Sequence, residues 1–580
     1  SLVGSEMCIR DSNHPSGRRE REGYRHGVQI HRKTDATIDT NIKTFMNQKK
    51  VFLLALISAA TLNATAQDND TYDEQATTLQ KKGEFEYSAE AQGSFSHGKT
   101  PLWLNANKYG LSSLDETNGY IRGTLQRDIS NDKEKKLGYG FGVDAAVPFN
   151  YTSNVVLQQA YVEGRWLYGT LSIGAKERPM NLKNNNLSSG SQTFGINARP
   201  VPQVRLSLED YWKVPLTGGW VQLKGHVAYG MMTDDSWQHK FTNKRNRYAD
   251  NVLYHSKAGF IRIGSEPHKH PLSVELGLEM ASQFGGKLYI PNADGTMTVI
   301  NGNTSFRGFW NAFLPGGKDI TDGDNYKNAE GNQLGSWVMR LNYEKDQWKA
   351  GFYVDKYFED HSAMFQLDYN GYGSGEEWME KKKSRYVLYD FKDWMIGFDF
   401  NLKNGTWVRN IVVEYLYTKY QSGPIYHDHT MPIPDHIGGA DNYYNHGIYP
   451  GWQHWGQVMG NPLYRSPIYN QNGSIYVQNN RFVAFHFGID GCPTDNTRYR
   501  VLASFQDGLG TYSSPYTDLR HNVSFLVEGE YKFTKALLRN WSVKGGYAMD
   551  FGGILGNNYG FQLTIAKRLS LIHISEPTRL

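Results

Sequence analysis

One long stretch of the sequence, from Gln421 to Asn479, carries the residue types best suited to binding a ligand. Its central part, from Asp435 to Tyr464, is dense in Tyr, Trp, His, Asn and Gln and poor in formal charge. Flat aromatic rings stack on the apolar faces of sugars, whereas amide, imidazole and carboxylate groups bind hydroxyls. This composition therefore predicts glycan binding. The candidate residues are Asp441, Asn442, Tyr443, Tyr444, His446, Trp452, Gln453, Trp455, Gln457 and Asn461.

The same composition also fits a self-packed plug, in which aromatic and amide groups satisfy one another inside the fold. We weigh this interpretation equally with glycan binding, and the two are compatible.

Several histidines in this stretch raise the question of a metal site, because neutral imidazole is a common metal ligand. They are His427, His429, His436, His446 and His454. None forms a His-x-x-x-His pair with a flanking Glu, and the intervening Gly and Pro exclude one regular helix. The sequence therefore predicts neither a metal nor another cofactor.

A catalytic set is not recognisable in the sequence. There is no G-x-S-x-G element, and a paired-carboxylate site is defined by a spatial separation that sequence does not give. We therefore predict a protein that is not an enzyme. Cys492 is the only cysteine after Cys8, which excludes a disulfide within the remainder, and the surrounding DGCPTDN predicts a turn.

Both ends of the chain have the character of added sequence. Leu2 to Ser12 and Leu569 to Arg579 can be back-translated as opposite strands of one oligonucleotide, as in a sequencing adapter. Asn13 to Phe45 is polar and aperiodic, which indicates translated upstream sequence. Residues 1–45 and 569–580 are therefore predicted not to belong to the mature protein, and we expect the natural C-terminus to extend slightly further than Arg568.

Residues 46–66 have the layout of a secretory signal peptide. Lys49 and Lys50 precede the apolar run VFLLALISAA, and Ala64-Thr65-Ala66 forms a small-x-small cleavage site. The alternative is a membrane anchor, but the apolar run has about half the length that a spanning helix needs. We expect export and cleavage after Ala66.

The balance of charge excludes one class of partner. The net charge of +4 comes from the ends, because Lys+Arg and Asp+Glu are equal in number between Gln67 and Arg568. A nucleic-acid partner would require a clustered basic surface, so none is predicted.

Short segments of alternating character fill the rest of the chain. In WMIGFDFNL, Trp394 to Leu402, apolar side chains share one face of a strand, and Gly397, Asp399 and Asn401 share the other. Trp337, Trp394 and Trp541 begin such faces, as in the aromatic girdles of membrane barrels. Strands of about nine to eleven residues suit a tilted membrane crossing. A soluble β-rich fold is the alternative.

These segments predict an all-β fold: one large transmembrane antiparallel β-barrel of about 16 to 18 strands over residues 83–568, with lumen or surface inserts. Residues 67–82 form a periplasmic lead-in, and the alternating segment Tyr559 to Ile565 is the terminal strand that barrel-assembly machinery reads. Outer-membrane lipid is then a partner. A second long irregular stretch, Asn292 to Asn332, contains FRGFWNAFLPGG and is predicted to face outward.

Three strings resemble the capsule assembly Wzi family in its Bacteroidetes form, and the resemblance extends over essentially all of residues 67–568. They are QQAYVEGRW (Gln158 to Trp166), LSSGSQTFGINARPVPQVRL (Leu187 to Leu206) and GADNYYNHGIYPGWQHWGQVMGNPL (Gly439 to Leu463). The resemblance implies a non-enzymatic, lectin-like barrel of the bacterial outer membrane, with a closed lumen, that attaches capsular or other surface polysaccharide without exporting it. One departure is the short lead-in, which is helical in the enterobacterial members.

Two other functions remain open at this stage. Charged inward positions such as Glu275, Arg340, Asp399 and Lys544 would suit a sugar-selective porin or diffusion channel. A barrel enzyme acting on glycan or lipid would draw on Asp435, Asp441 and His446.

Overall fold

The computed structural model describes residues 85–264, 270–314, 331–359, 366–368, 375–377, 379–380, 385–387, 392–426 and 437–571. The predicted signal peptide and lead-in, together with His427, His429, His436 and Asp435, lie outside the described residues.

Eighteen antiparallel strands form one closed barrel, which confirms the predicted fold class at the upper end of the expected strand number. Each strand is hydrogen-bonded to its neighbours in sequence, and the last pairs with the first from Phe85↔Leu571 to His97↔Tyr559. The strands are β1 Phe85–His97, β2 Thr117–Arg127, β3 Leu137–Phe149, β4 Val156–Trp166, β5 Gly169–Ala175, β6 Gln203–Lys213, β7 Val221–Met231, β8 Leu253–Ile263, β9 Leu272–Phe284, β10 Asn332–Glu344, β11 Trp348–Glu359, β12 Trp394–Leu402, β13 Asn410–Tyr417, β14 Phe482–Thr494, β15 Thr497–Gly510, β16 Pro515–Lys532, β17 Trp541–Gly552 and β18 Asn558–Leu571.

Alternation along the strands separates an apolar outer face from a polar inner one. In β12, Phe398 on the outer face is 44% exposed, whereas the neighbouring inward side chain of Met395 is fully buried. Exposed apolar side chains recur on the outer face around the ring and form a continuous belt. Examples are Phe95, Ile121, Val143, Val162, Ile173, Leu206, Val227, Leu276, Leu341, Phe352, Val413, Phe487, Phe505, Val523, Tyr547 and Phe561. Such a belt matches hydrocarbon rather than water.

The turn predicted at DGCPTDN is confirmed only for its last two residues, Asp495 and Asn496. Cys492 lies within β14, and the connection to β15 is only residues 495–496. The pairing register shifts between Gly491 and Thr494, so this is a β-bulge. Pro493 lacks an N–H group and therefore sits at a bulge rather than in a regular ladder.

The two rims of the barrel differ in the length of their connections. Connections after β2, β4, β6 and the other even-numbered strands are short and form the short-turn rim. Their lengths run from that of residues 167–168 to that of residues 128–136. Connections after the odd-numbered strands include residues 98–116, 176–202, 285–331 and 418–481 and form the long-loop rim. Both ends of the barrel sequence therefore lie at the short-turn rim.

Helices occur only in the connections of the described chain, and none of them is long and apolar enough to cross a membrane. They are α1 Leu102–Asn105, α2 Trp237–Thr242 and α3 Phe306–Phe313, with 3-10 turns at Ile129–Asp132, Gly375–Glu377, Pro467–Tyr469 and Ala536–Leu538. Short strands outside the barrel are Tyr248–Asp250, Lys287–Pro291, Met297–Asn301, Gln366–Asp368, Arg385–Val387, Ser422–Tyr426, Ile437–Ala440, Gln453–His454 and Gln457–Val458.

Candidate functional site

Three connections of the long-loop rim fold into the barrel and fill it. We call residues 98–116 the first insert, 176–202 the second insert and 441–481 the third insert. Each contains side chains that are at most 2% exposed, for example Trp103, Thr193 and Tyr464. Buried apolar residues of all three, such as Leu104, Leu187 and Trp452, belong to one cluster with inward side chains of the wall. The inserts therefore form the core of the molecule.

The third insert is built around stacked tyrosines. The Tyr444 and Tyr464 rings stack at 4.0 Å, and the Tyr357 ring on β11 meets Tyr444 edge-on at 5.4 Å. The Tyr444 hydroxyl donates to the Gln192 carbonyl of the second insert and accepts from the Asn461 N–H at 3.0 Å. Burial raises the pKa of Tyr444 well above its ordinary value, so this hydroxyl remains a donor.

A tight hairpin, Gln453–Val458, carries the next part of the third insert between the other elements. His454 Nδ1 lies 2.8 Å from the Arg199 carbonyl, and Nε2 accepts from the Thr233 N–H at 3.2 Å. Burial lowers the pKa of His454 to about 4, because the ring has no water to solvate a charge. The ring is therefore neutral and structural.

Two buried carboxylates on the wall bind the second insert. Glu414 on β13 accepts hydrogen bonds from Ser188 Oγ at 2.5 Å and from the Ser189 N–H at 2.8 Å. Asp355 on β11 pairs with Lys183 Nζ at 2.6 Å and accepts from the Gln192 N–H at 3.1 Å. These bonds satisfy charges that would otherwise be costly inside the barrel.

The filling extends around the whole circumference. Every strand places at least one inward side chain at less than 10% exposure. One per strand, from β1 to β18, these are Gln92, Tyr120, Asp144, Glu163, Ser172, Ser207, His226, Ser256, Glu279, Ser336, Asp355, Met395, Glu414, His486, Ser504, Ser524, Asp550 and Gln562. Inward side chains of every strand are therefore packed away from solvent in the described part of the barrel.

The structure divides the ten candidate glycan-binding residues into two groups. Seven are buried in the plug, with Tyr443, Tyr444, Trp452 and Asn461 fully enclosed. The other three buried residues are Asp441, Gln453 and Gln457. Asn442, His446 and Trp455 are partly exposed. Most of the segment thus builds the plug, and only this smaller group reaches solvent.

Partners of the buried candidates lie far away in sequence. Trp452 Nε1 donates to the Thr193 carbonyl at 3.3 Å, and Asn461 Nδ2 donates to Ser189 Oγ at 3.0 Å. The Tyr443 hydroxyl lies 3.1 Å from Asp393 at the start of β12. These contacts occupy the polar groups that a sugar would otherwise use.

Trp455 is the aromatic ring of the group best placed for a ligand. It is held by the Arg199 guanidinium, whose carbon lies 4.1 Å from the ring centre. Arg199 in turn donates to Ser153 Oγ at 3.2 Å and Thr152 Oγ1 at 3.1 Å in the β3–β4 connection of the long-loop rim. The ring is thus fixed beside this rim.

Each inward charge considered for a channel is paired with an opposite charge. Arg340 binds Asp399 through two hydrogen bonds of 2.7 and 2.8 Å, and Glu275 lies 3.2 Å from Arg262. Lys544 lies 3.8 Å from Glu528. Glu275, Arg340 and Asp399 line a cavity of about 350 Å³ beneath the second insert. A smaller cavity of about 120 Å³ is lined by the same insert, including Thr193, and by Tyr254 of β8.

No group of three or more His, Cys, Asp or Glu among the described residues is arranged to hold a metal ion. Of the five histidines considered, only His446 and His454 fall in this part of the chain. His454 is occupied by backbone atoms, and His446 Nδ1 accepts from the Ile448 N–H at 3.1 Å.

The second insert is the element whose structural role the sequence did not reveal. Its run NLKNNNLSSGSQTFG is polar, rich in small residues and free of alternation, which is the signal that could have separated it from the strands. Glu414 and Asp355 were likewise indistinguishable from other inward polar residues.

A closed antiparallel barrel with a filled lumen and an apolar outer belt has the fold of outer-membrane β-barrel proteins. No protein-family model matches the sequence, and no curated protein matches it significantly. Among solved structures, the chain is similar to Wzi of Escherichia coli, described as a carbohydrate-binding β-barrel involved in group 1 capsule assembly, with a TM-score of 0.49 and 13% identity over 85% of each chain.

Two porin-like structures from Pseudomonas aeruginosa are also similar. OccK3 has a TM-score of 0.39 and 11% identity, over 84% of this chain and 96% of its own. OprD has a TM-score of 0.39 and 10% identity, over 85% of this chain and 98% of its own. At these identities and scores, none of the three structures carries a functional argument.

Proposed function

We propose that the protein is a non-enzymatic, glycan-binding barrel of the bacterial outer membrane, of the Wzi type, that retains capsular or other surface polysaccharide on the cell. The filled lumen carries this proposal. A diffusion channel requires a continuous wet passage, whereas here every strand has a buried inward side chain and three inserts pack inside the wall. A barrel closed in this way is better suited to displaying a binding surface than to transport.

The membrane location is supported by the outer belt. Exposed apolar side chains such as Val143, Leu206, Phe352 and Phe505 follow the outer face of successive strands. Closure of β1 with β18 leaves no unpaired sheet edge in hydrocarbon. Outer-membrane lipid and, during insertion, the barrel-assembly machinery are the partners that this location implies.

The polysaccharide would contact the partly exposed group, with Trp455 as the stacking ring and Asn442 and His446 as hydrogen-bonding groups. The buried candidates then act by holding this surface in place. Rigid aromatic anchors bind sugars with little loss of side-chain entropy because the ring is already fixed. The Arg199 contact with the Trp455 ring supports this role.

Binding of purified surface polysaccharide to the protein in detergent tests the proposal. Trp455→Ala should weaken binding at least tenfold, whereas Trp407→Ala should leave it unchanged. Trp407 is a suitable control because it is 70% exposed on the opposite, short-turn rim. Equal binding by both variants and the parent would refute the assigned surface.

A cellular measurement tests the role in retention. Deletion of the gene should release polysaccharide into the medium while its synthesis continues. Unchanged cell-bound polysaccharide would contradict the proposal. In planar bilayers the protein should show little open conductance, and a steady sugar-permeable conductance would instead favour the porin.

A further inference from the structure

Helix α3 packs against the outside of the barrel rather than inside it. Tyr229 on β7 and Lys257 on β8 both point outward, since they alternate with the inward side chains of His226 and Ser256. The Tyr229 hydroxyl donates to the Phe309 carbonyl at 2.9 Å, and Lys257 Nζ donates to the Phe313 carbonyl.

Aromatic contacts fix the helix to the same patch of wall. The Phe309 ring lies 5.3 Å from Tyr229 and 5.1 Å from Phe284 at the end of β9. The Phe313 ring meets the outward His255 ring edge-on at 5.8 Å. The helix thus covers a histidine and a lysine that would otherwise stand on the lipid-facing side.

The height of this patch follows from the strand register. Lys257 is six residues and His255 eight residues from Ile263, which pairs with Val221 beside the exposed Trp220 at the short-turn end. A tilted strand rises about 2.6 Å per residue along the barrel axis, so these residues lie about 16 and 21 Å above that end. The apolar band of such barrels is about 25 Å tall. The C-terminal end of α3 therefore lies within the band.

The face of α3 that points away from the wall is apolar. Phe306 is 84% exposed and Trp310 52%, and their spacing of four residues places them on one side of the helix. Leu314, which caps the C-terminal end of the helix, is 50% exposed. Ala312 and Gly308 are buried on the opposite side. On the outer face of β7, Tyr229 is flanked by Val227 and Met231 of the belt, which are 38% and 43% exposed.

We propose that α3 is a membrane-interface helix whose free face is covered by the acyl chains of the outer leaflet, which anchors residues 285–314 to the bilayer surface. Continuity with the belt and the calculated height select lipid as the occupant. An amphipathic helix with aromatic residues on its apolar face is the form that lies at such an interface. Lys257, at membrane depth, is satisfied by a helix carbonyl.

Depth measurement by nitroxide labelling tests this inference directly. The chain has two cysteines, Cys8 and Cys492, so a Cys8→Ser/Cys492→Ala background accepts one label at a chosen site. Labels at Trp310→Cys and Leu314→Cys, in phosphatidylcholine nanodiscs, should collide readily with oxygen and poorly with a water-soluble nickel chelate. Phe306→Cys should be shallower than Leu314→Cys, because the helix descends towards its C-terminal end.

Two matched positions calibrate the result. Val227→Cys reports the lipid-facing belt, and Ala293→Cys reports an exposed turn of the same 285–331 connection. Labels on α3 that behave like Ala293→Cys would overturn the inference, as would labels shielded from both reagents, which would indicate a protein cover. A water-like Val227→Cys would instead contradict the membrane location, and glycan binding by Trp455 is independent of either outcome.

Discussion

Removal of the Lys183 ammonium should loosen the second insert from the barrel wall. Its Nζ lies 2.6 Å from Asp355 Oδ2, and the two side chains are only 2% and 0% exposed. The same carboxylate accepts the Gln192 N–H at 3.1 Å, so one buried group holds two points of the insert. Removing one partner of a buried ion pair costs about 3–5 kcal/mol. That corresponds to a shift of about a hundredfold to several thousandfold towards the detached insert.

Single-channel recording in planar bilayers measures this shift as the frequency of open events. Lys183→Met should open far more often than the parent. Adding Asp355→Asn should restore most of the closure, because the neutral carboxamide still accepts the Gln192 N–H. The matched control is Lys133→Met, whose 3.9 Å pair with Asp210 is exposed on the short-turn rim and contributes little.

The reasoning would be refuted if the double variant opened as often as Lys183→Met, since an uncompensated buried charge would then not be the cause. It would also fail if Lys183→Met and Lys133→Met behaved alike, because the buried pair would then be no more important than a surface pair.

Three further predictions concern the plug and the belt. The pKa of His454 is lowered from 6.5 to about 4 in the folded state, so the contribution of this ring to stability is present above pH 6.5 and is lost as pH falls towards 4. The melting temperature of His454→Gln should therefore depend less on pH over this range than that of the parent. Gly460→Ala should destabilise the plug by about 1–3 kcal/mol, because the added Cβ would collide with the Tyr444 hydroxyl and the Gln192 carbonyl. The control is Gly123→Ala, whose Cβ meets nothing within 4 Å and which should leave the melting temperature unchanged. Phe487→Arg on the outer belt should cost up to about 2–4 kcal/mol in lipid, measured by denaturant unfolding in vesicles, and Leu537→Arg in an exposed turn should not.

Alternation of side chains was sufficient to predict the barrel. In Trp394 to Leu402 the predicted faces agree with β12, and the terminal alternating segment lies in β18, which continues to Leu571. Period-two patterns are local, so each strand carries its own signal. The bulge around Cys492 broke that signal, because Gly and Pro there indicate a turn equally well.

The arrangement of the lumen was less accessible to sequence reasoning. Whether an aromatic and amide-rich segment binds a sugar or fills a barrel depends on partners such as Gln192 for Tyr444, which are 252 residues apart. Composition is the same in both cases. The outward prediction for Asn292 to Asn332 likewise did not reveal that α3 lies on the wall, since Lys257 and His255 are recognised as its partners only through strand register.

Each insert both leaves the wall and returns to it at the long-loop rim, and this connectivity has a thermodynamic consequence. Inserts that are attached to the wall at one rim only can leave the lumen without breaking any hydrogen bond of the strand ladder. Insertion of the plug into the lumen and closure of the strand ladder are therefore two separate equilibria, each with its own free energy. Substitutions in the inserts can therefore alter the surface shown to the exterior without breaking the strand ladder that closes the barrel.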